Sequence, residues 1–198
     1  MPSPTSPSAT HRQRLEQLTV FIRVSEEIQH AWGVYADEHT DLDDWPLDED
    51  AYGRRAAQRD ADTWWAFNRV RSFAKDLLAT AEVQLQLLNP AHVQARWPWQ
   101  LATLDDALKQ LNALQQQWLD ARDSLPSSAR PGTDAYDDAL AERNAEAWSY
   151  LDDWASHSPA ILEIHAAAQD LPPRSSALTT VKAQPLSSAP ATAPVARR

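Results

Sequence analysis

The chain contains no cysteine, and among its 198 residues only three are glycine: Gly33, Gly53 and Gly132. The first absence removes disulfides, thiolate metal sites and any cysteine nucleophile. The second argues against a β-rich fold, which would need glycine at hairpins and bulges. No apolar run approaches the roughly 20 residues required to cross a bilayer. Met1–Thr10 is rich in proline, serine and threonine and lacks the charged and apolar regions of a secretory signal, so a soluble, cytoplasmic chain without membrane partners is expected. Also missing are a Gly-x-Ser-x-Gly elbow, a glycine-rich phosphate loop and a Ser/His/Asp set in a recognisable context. Nucleophilic catalysis therefore finds no support, and no cofactor is expected.

What is present favours helix. Alanine, leucine, glutamine and acidic residues fill the middle of the chain, while the fourteen prolines lie in the tails and between the periodic stretches. In Thr103–Asp123, Leu104, Leu108, Leu111 and Trp118 form one stripe, extended by Leu101 and widened by Leu114 and Leu119. Such a face must be buried against other helices. The fold class expected is all-α: an antiparallel bundle of four main helices with one or two short extra helices and disordered termini. One domain, 10–171, would follow a disordered arm, 1–9, and precede a disordered Pro/Ala/Ser-rich basic tail, 172–198.

The first helix is expected from a capping box at Thr10 and Gln13 to about Asp37, burying Leu15, Leu18, Phe21, Ile22, Ile28, Ala31, Trp32 and Tyr35. Gly33 within it marks a close helix contact or a weak point. A short helix is predicted near Asp48–Arg59, and a second long one from Asp62 or Thr63 to the stop at Asn89-Pro90. Another short helix is predicted near 91–95. Pro98 suits the first turn of the third long helix, Thr133 or Asp134 the cap of the fourth, and Ser158-Pro159 the start of a shorter fifth. No repeat of fixed period is evident, although Leu-Asp-Asp-Trp occurs at both 42–45 and 151–154.

The net charge of −10 becomes −16 for residues 15–170 once the +2 arm and the +4 tail are set aside. A body so acidic repels phosphate backbones, which makes nucleic acid an unlikely partner and a basic protein a favourable one. Arg69, Arg71 and Lys75 form the body's basic cluster, with Asp76 and Glu82 close by.

Candidate metal ligands are Glu27 and His30, three apart on one helix face, but no second Glu-x-x-His completes a di-iron template and no metal is expected. Asp48, Asp50 and Gly53 imitate a calcium loop whose twelfth position would be Arg59, which repels the ion. Asp105-Asp106 and Asp137-Asp138 suit helix N-termini, whereas Asp152-Asp153 approaches a C-terminus, where carboxylates are unfavourable. Of the nine tryptophans, Trp32, Trp65, Trp118, Trp148 and Trp154 fit core positions. Trp45, Trp97 and Trp99 sit in proline-containing connections and, with Asp43 and Asp44, are the candidates for binding a protein partner.

The reading expected from these features is a non-catalytic interaction module: an adaptor, antitoxin-like or immunity-like protein of bacterial composition, self-associating as a homodimer and engaging a basic protein. Its sequence support is the acidic body, the loop tryptophans and the wide stripe at 101–119. The alternatives are an enzyme or carrier with a metal or ligand site inside the bundle, and a DNA-linked regulator.

Overall fold

The computed structural model describes residues 7–170; the predictions for 1–6 and 171–198 lie outside the described residues. The chain is all-α: α1 (Pro7–His39), α2 (Glu49–Arg71), α3 (Ala74–Leu87), a 3-10 turn (Pro90–His92), α4 (Trp97–Ser124), α5 (Asp134–His157) and α6 (Pro159–Gln169). The four long helices form the antiparallel bundle, and α3 and α6 pack on each other beside it.

Several boundaries differ from the sequence reading. Helix α1 begins at Pro7, a residue suited to a first helical turn, so Thr10 lies inside the helix and not at its cap. Ala31 of its expected inner face is exposed. A Cβ added at Gly33 would meet nothing within 4 Å, so no close contact explains that glycine. The helix predicted at 48–59 does start where Asp48 caps it, its carboxylate accepting the Ala51 N–H, but it runs unbroken to Arg71. The long helix predicted across 62–88 is instead split at Ser72–Phe73, where Phe73 leaves the helical region with φ −131° and ψ 9°. The break lets α2 lie between α1 and α5 while α3 turns onto α4 and α6. The short helix near 91–95 reduces to one 3-10 turn, capped by the Asn89 side chain.

The core is apolar and continuous through all six helices. Leu18, Phe21, Phe67, Val70, Leu77, Leu104, Leu111, Leu151, Trp154 and Ile161 are fully buried. Each contributes about 1.5–3 kcal/mol through removal from water. Phe67 touches Phe21 of α1 and Trp154 of α5 edge to face, with ring centroids 5.8 and 5.3 Å away.

Two arginines enter this interior. Arg59 of α2 lies 4.3 Å from the Trp32 ring of α1 and 4.6 Å from the Trp148 ring of α5. Arg143 of α5 lies 3.9 Å from the Trp64 ring of α2 and 5.1 Å from the Trp118 ring of α4. The pairs are reciprocal: each of α2 and α5 supplies an arginine and, five residues later, a tryptophan for the other's arginine. Such pairing requires the two helices to be antiparallel and fixes their register. The side chain after each arginine repeats the same contact. Arg59 Nε and Nη2 donate to Asp60 Oδ1 at 2.8 and 2.6 Å, and Arg143 Nε and Nη2 donate to Asn144 Oδ1 at 3.2 and 2.6 Å.

This reciprocity reveals a repeat that the sequence reading missed. Helices of 33, 23 and 14 residues (α1–α3) are followed by helices of 28, 24 and 11 (α4–α6). Leu15, Leu18, Ile22, Gln29 and Trp32 of α1 correspond in order and burial to Leu101, Leu104, Leu108, Gln115 and Trp118 of α4. Tyr52, Arg59, Asp60 and Phe67 of α2 correspond to Tyr136, Arg143, Asn144 and Leu151 of α5. Tyr52 meets Trp32 edge to face at 5.0 Å, and Tyr136 meets Trp118 in the same manner at 6.1 Å. The two halves are thus related by an approximate two-fold whose central contacts are α2 on α5 and α3 on α6. The repeated Leu-Asp-Asp-Trp is unrelated to it: one copy is an exposed turn, and the other buries Leu151 and Trp154 within α5.

At the junction of α1, α3 and α6, His11 packs against His165, with centroids 5.0 Å apart, and Gln84 Nε2 lies 3.0 Å from His165 Nδ1. Burial, His165 and Arg14 together hold the His11 pKa below its usual value. Arg14 is itself paired with Asp76 at 3.0 Å.

Three outcomes follow. Asp60 has its carboxyl pKa raised by burial, against the lowering influence of Arg59, so the charged form is only partly compensated. Asp60→Asn should therefore change stability by less than about 1 kcal/mol, as the neutral Asn144 fills the same role. Arg143→Ala, which strips two indole faces of a cation and leaves Gln115 and Asn144 without a donor, should cost about 2–4 kcal/mol in urea denaturation. For His11, the unfolded chain binds the proton more readily than the folded one. Stability should fall as pH drops from about 6.5 through the lowered folded value, and His11→Phe should flatten that decline in melts recorded from about pH 7 to about pH 5.

Candidate functional site

The connection between α1 and α2 gathers the most exposed of the large apolar side chains among the described residues. Leu42 is 104% exposed, and Trp45 and Leu47 are each 68% exposed. They are ringed by Asp41, Asp43, Asp44 and Asp48, all on the surface. The segment is a built turn. Asp41 N–H donates to Trp45 O at 2.8 Å, Leu47 N–H to His39 O at 2.9 Å, and Thr40 bridges Pro46 in antiparallel fashion. The Asp41 carboxylate accepts the N–H groups of Asp43 (2.9 Å) and Trp45 (3.0 Å), closing an Asx turn. Asp44 adopts φ 62°, a conformation that aspartate tolerates better than most non-glycine residues. Backbone bonds therefore hold a tryptophan and two leucines outward, where burying them against solvent is impossible without another surface.

Of the residues predicted to bind a partner, the tip brings Asp43, Asp44 and Trp45 together. Trp99 is also exposed, at 59%, but lies on α4 with its ring 4.8 Å from His157 of α5. Trp97 is a correction: it is 2% exposed, and its Nε1–H donates to Glu163 Oε2 at 2.7 Å. Arg96 reaches both oxygens of the same carboxylate, so Glu163 ties the start of α4 to α6. Pro98 sits in the first turn of α4, as expected, and that placement carries Trp97 into the core.

Other predicted core positions also shift. Trp65 is 62% exposed, with Arg69 4.6 Å from its ring, and its neighbour Trp64 takes the buried place. The apolar stripe on α4 is not an exposed surface: Leu101, Leu104, Leu108 and Leu111 are buried, and Leu114, Trp118 and Leu119 are half-buried. Asp41, Leu42 and Leu47 were missed by the sequence reading. The available signal was the alternation of acids with large apolar residues in a segment starting with an Asx-forming aspartate.

The metal candidates do not assemble. Glu27 accepts an ion pair from Arg23 at 2.6 Å on the surface, and His30 is exposed. Among the described residues, no group of three His, Asp or Glu side chains is arranged to hold a metal ion. Asp153 lies 4.0 Å from His157 Nε2, one turn further along α5. The basic cluster is divided by the break after α2, with Arg71 bonded to Asn68 at 3.2 Å and Lys75 on α3. No helix among the described residues is long and apolar enough to cross a membrane.

Comparison with known proteins finds no matching family model, and no curated protein or solved structure with significant similarity.

The contrast between the two tryptophans is measurable. Trp45→Ser should alter stability by less than about 0.5 kcal/mol, since the ring is solvated. Trp97→Phe should cost about 1–3 kcal/mol, because it leaves the Glu163 carboxylate without its buried donor. Urea midpoints of the two variants against the unaltered chain check both.

Proposed function

We propose that this chain is a non-catalytic protein–protein interaction module, of adaptor, antitoxin-like or immunity-like kind, that docks a basic partner on the α1–α2 tip. The observation that carries the reading is the tip itself: Leu42, Trp45 and Leu47 held outward by the Asp41 turn and framed by carboxylates. Apolar anchors surrounded by charge of one sign match the usual anatomy of an interface, in which a few large side chains supply most of the affinity and the rim sets specificity and encounter rate. The −16 charge of residues 15–170 favours a cationic partner over a distance of about one Debye length.

Self-association as a homodimer belongs to the same reading. Val83 and Leu87, 56% and 49% exposed, stand one turn apart on α3 and offer a second copy an apolar strip.

The test compares the unaltered chain with the triple variant Leu42→Ser, Trp45→Ser, Leu47→Ser as immobilised baits, with captured proteins quantified by mass spectrometry. A basic protein is expected to be retained by the former, lost at least about tenfold from the latter, and released by raised salt. Identical captured sets from the two baits would overturn the proposal.

A further inference from the structure

The two halves differ at one place in a way that opens a cleft. Between α4 and α5, a cleft of about 200 Å³ is lined by Leu114, Trp118, Ala121, Ala139, Arg143 and two glutamates, Glu142 and Glu146. In the first half, the positions equivalent to Ala121 and Ala139 are Tyr35 and Arg55. There the Tyr35 ring lies against Trp32 with centroids 6.0 Å apart, and the Arg55 guanidinium stands 5.8 Å from the Tyr35 ring. The first half thus places an aromatic ring and a cation at positions where the second half has alanines, and in the second half Arg122 instead stands 5.4 Å from the Trp118 ring.

The walls of the open copy retain what those groups would meet. Trp118 presents the indole equivalent to Trp32, with Arg143 beside it as Arg59 is beside Trp32. The rim has become more acidic. Gln58 donates to Asp62 at 2.7 Å in the first half, whereas Glu142 and Glu146 replace them in the second. Two carboxylates one helical turn apart repel each other, and neither is ion-paired among the described residues. A cation between them would relieve that repulsion.

We infer that the α4–α5 cleft binds a partner polypeptide through neighbouring tyrosine and arginine side chains, supplying in trans the pair that Tyr35 and Arg55 supply within the first half. The ring rests against Trp118, and the guanidinium lies between Glu142 and Glu146. The site is separate from the α1–α2 tip, and the inference does not rest on the tip reading.

The probe is the capped dipeptide N-acetyl-Tyr-Arg-amide, titrated into the isotope-labelled chain and followed by amide and indole N–H chemical shifts. Saturable shifts are expected at the Trp118 indole and in residues 114–121 and 139–146. N-acetyl-Tyr-Glu-amide should bind about five- to tenfold more weakly, and the chain carrying Glu142→Gln with Glu146→Gln should lose a similar factor for the Tyr-Arg probe. The variant Ala121→Tyr with Ala139→Arg should remain folded, as the first half already accommodates that pair, and should abolish the shifts. Binding with unchanged affinity after either substitution pair, equal affinity for the two dipeptides, or no saturable shift would each overturn the inference. The Gln pair lies on solvated positions, so its result stands whether or not the filled variant folds.

Discussion

Two positive charges sit within the bundle, and the arrangement of its four long helices depends on how they are accommodated. A guanidinium withdrawn from water without compensation would cost several kcal/mol. Arg143, at 9% exposed, has no carboxylate bonded to it among the described residues; Gln115 Oε1 accepts from Nη1 at 2.8 Å, Asn144 from the remaining nitrogens, and two indole faces supply the rest. Its pKa is brought down to about 10, chiefly by burial and then by the nearby Arg71, which leaves it charged at neutral pH. Because each arginine takes one indole from its own hairpin and one from the other, sliding α2 along α5 by a turn would break both stacks. The stacks specify register in a way that the apolar core, rich in interchangeable leucines, does not.

Much of this architecture was legible in sequence. Periods of three and four residues identify α1, α4 and α5, and prolines at 90, 98 and 159 mark where elements start or stop. The break at Ser72–Phe73 was not legible, since neither glycine nor proline marks it and the apolar stripe continues across it from Val70 to Ala74. The turn shows only in the packing, where α2 lies on α1 and α5 while α3 lies on α4 and α6. Trp64 and Trp65 show the limit differently. The spacing from Trp64 to Phe67 places the first of them on the buried face, but adjacent identical side chains blur a helical pattern.

The repeat escaped notice because few identities survive in it, and because the shift between equivalent residues is not constant. The stretch from Trp32 to Tyr52 is two residues longer than the equivalent stretch from Trp118 to Tyr136, so α1 aligns with α4 at one offset and α2 with α5 at another. A search for a single period fails under those conditions. The surviving identities are the buried arginine of each half with a tyrosine, a glutamine and two tryptophans, together with a few leucines and alanines. They persist where the cation's surroundings constrain them most, and elsewhere the halves have diverged.

That divergence bears on function. Where both halves agree, the fold explains the residues. Where they disagree, the half that differs carries a residue choice which folding did not require, because its counterpart demonstrates a workable alternative. The first half closes its hairpin with the Asp41 turn and three solvated apolar side chains; the second uses the loop 125–133, in which Thr133 Oγ1 bonds Arg130 O and no large apolar residue is exposed. The first half fills its outer groove with Tyr35 and Arg55; the second leaves alanines there. A solvated Trp45 contributes nothing to the core, and an open groove forgoes the contacts that Tyr35 makes with Trp32, Tyr52 and His39. Both departures forgo burial that the other half obtains or avoids needing, and each leaves surface that only another molecule can cover.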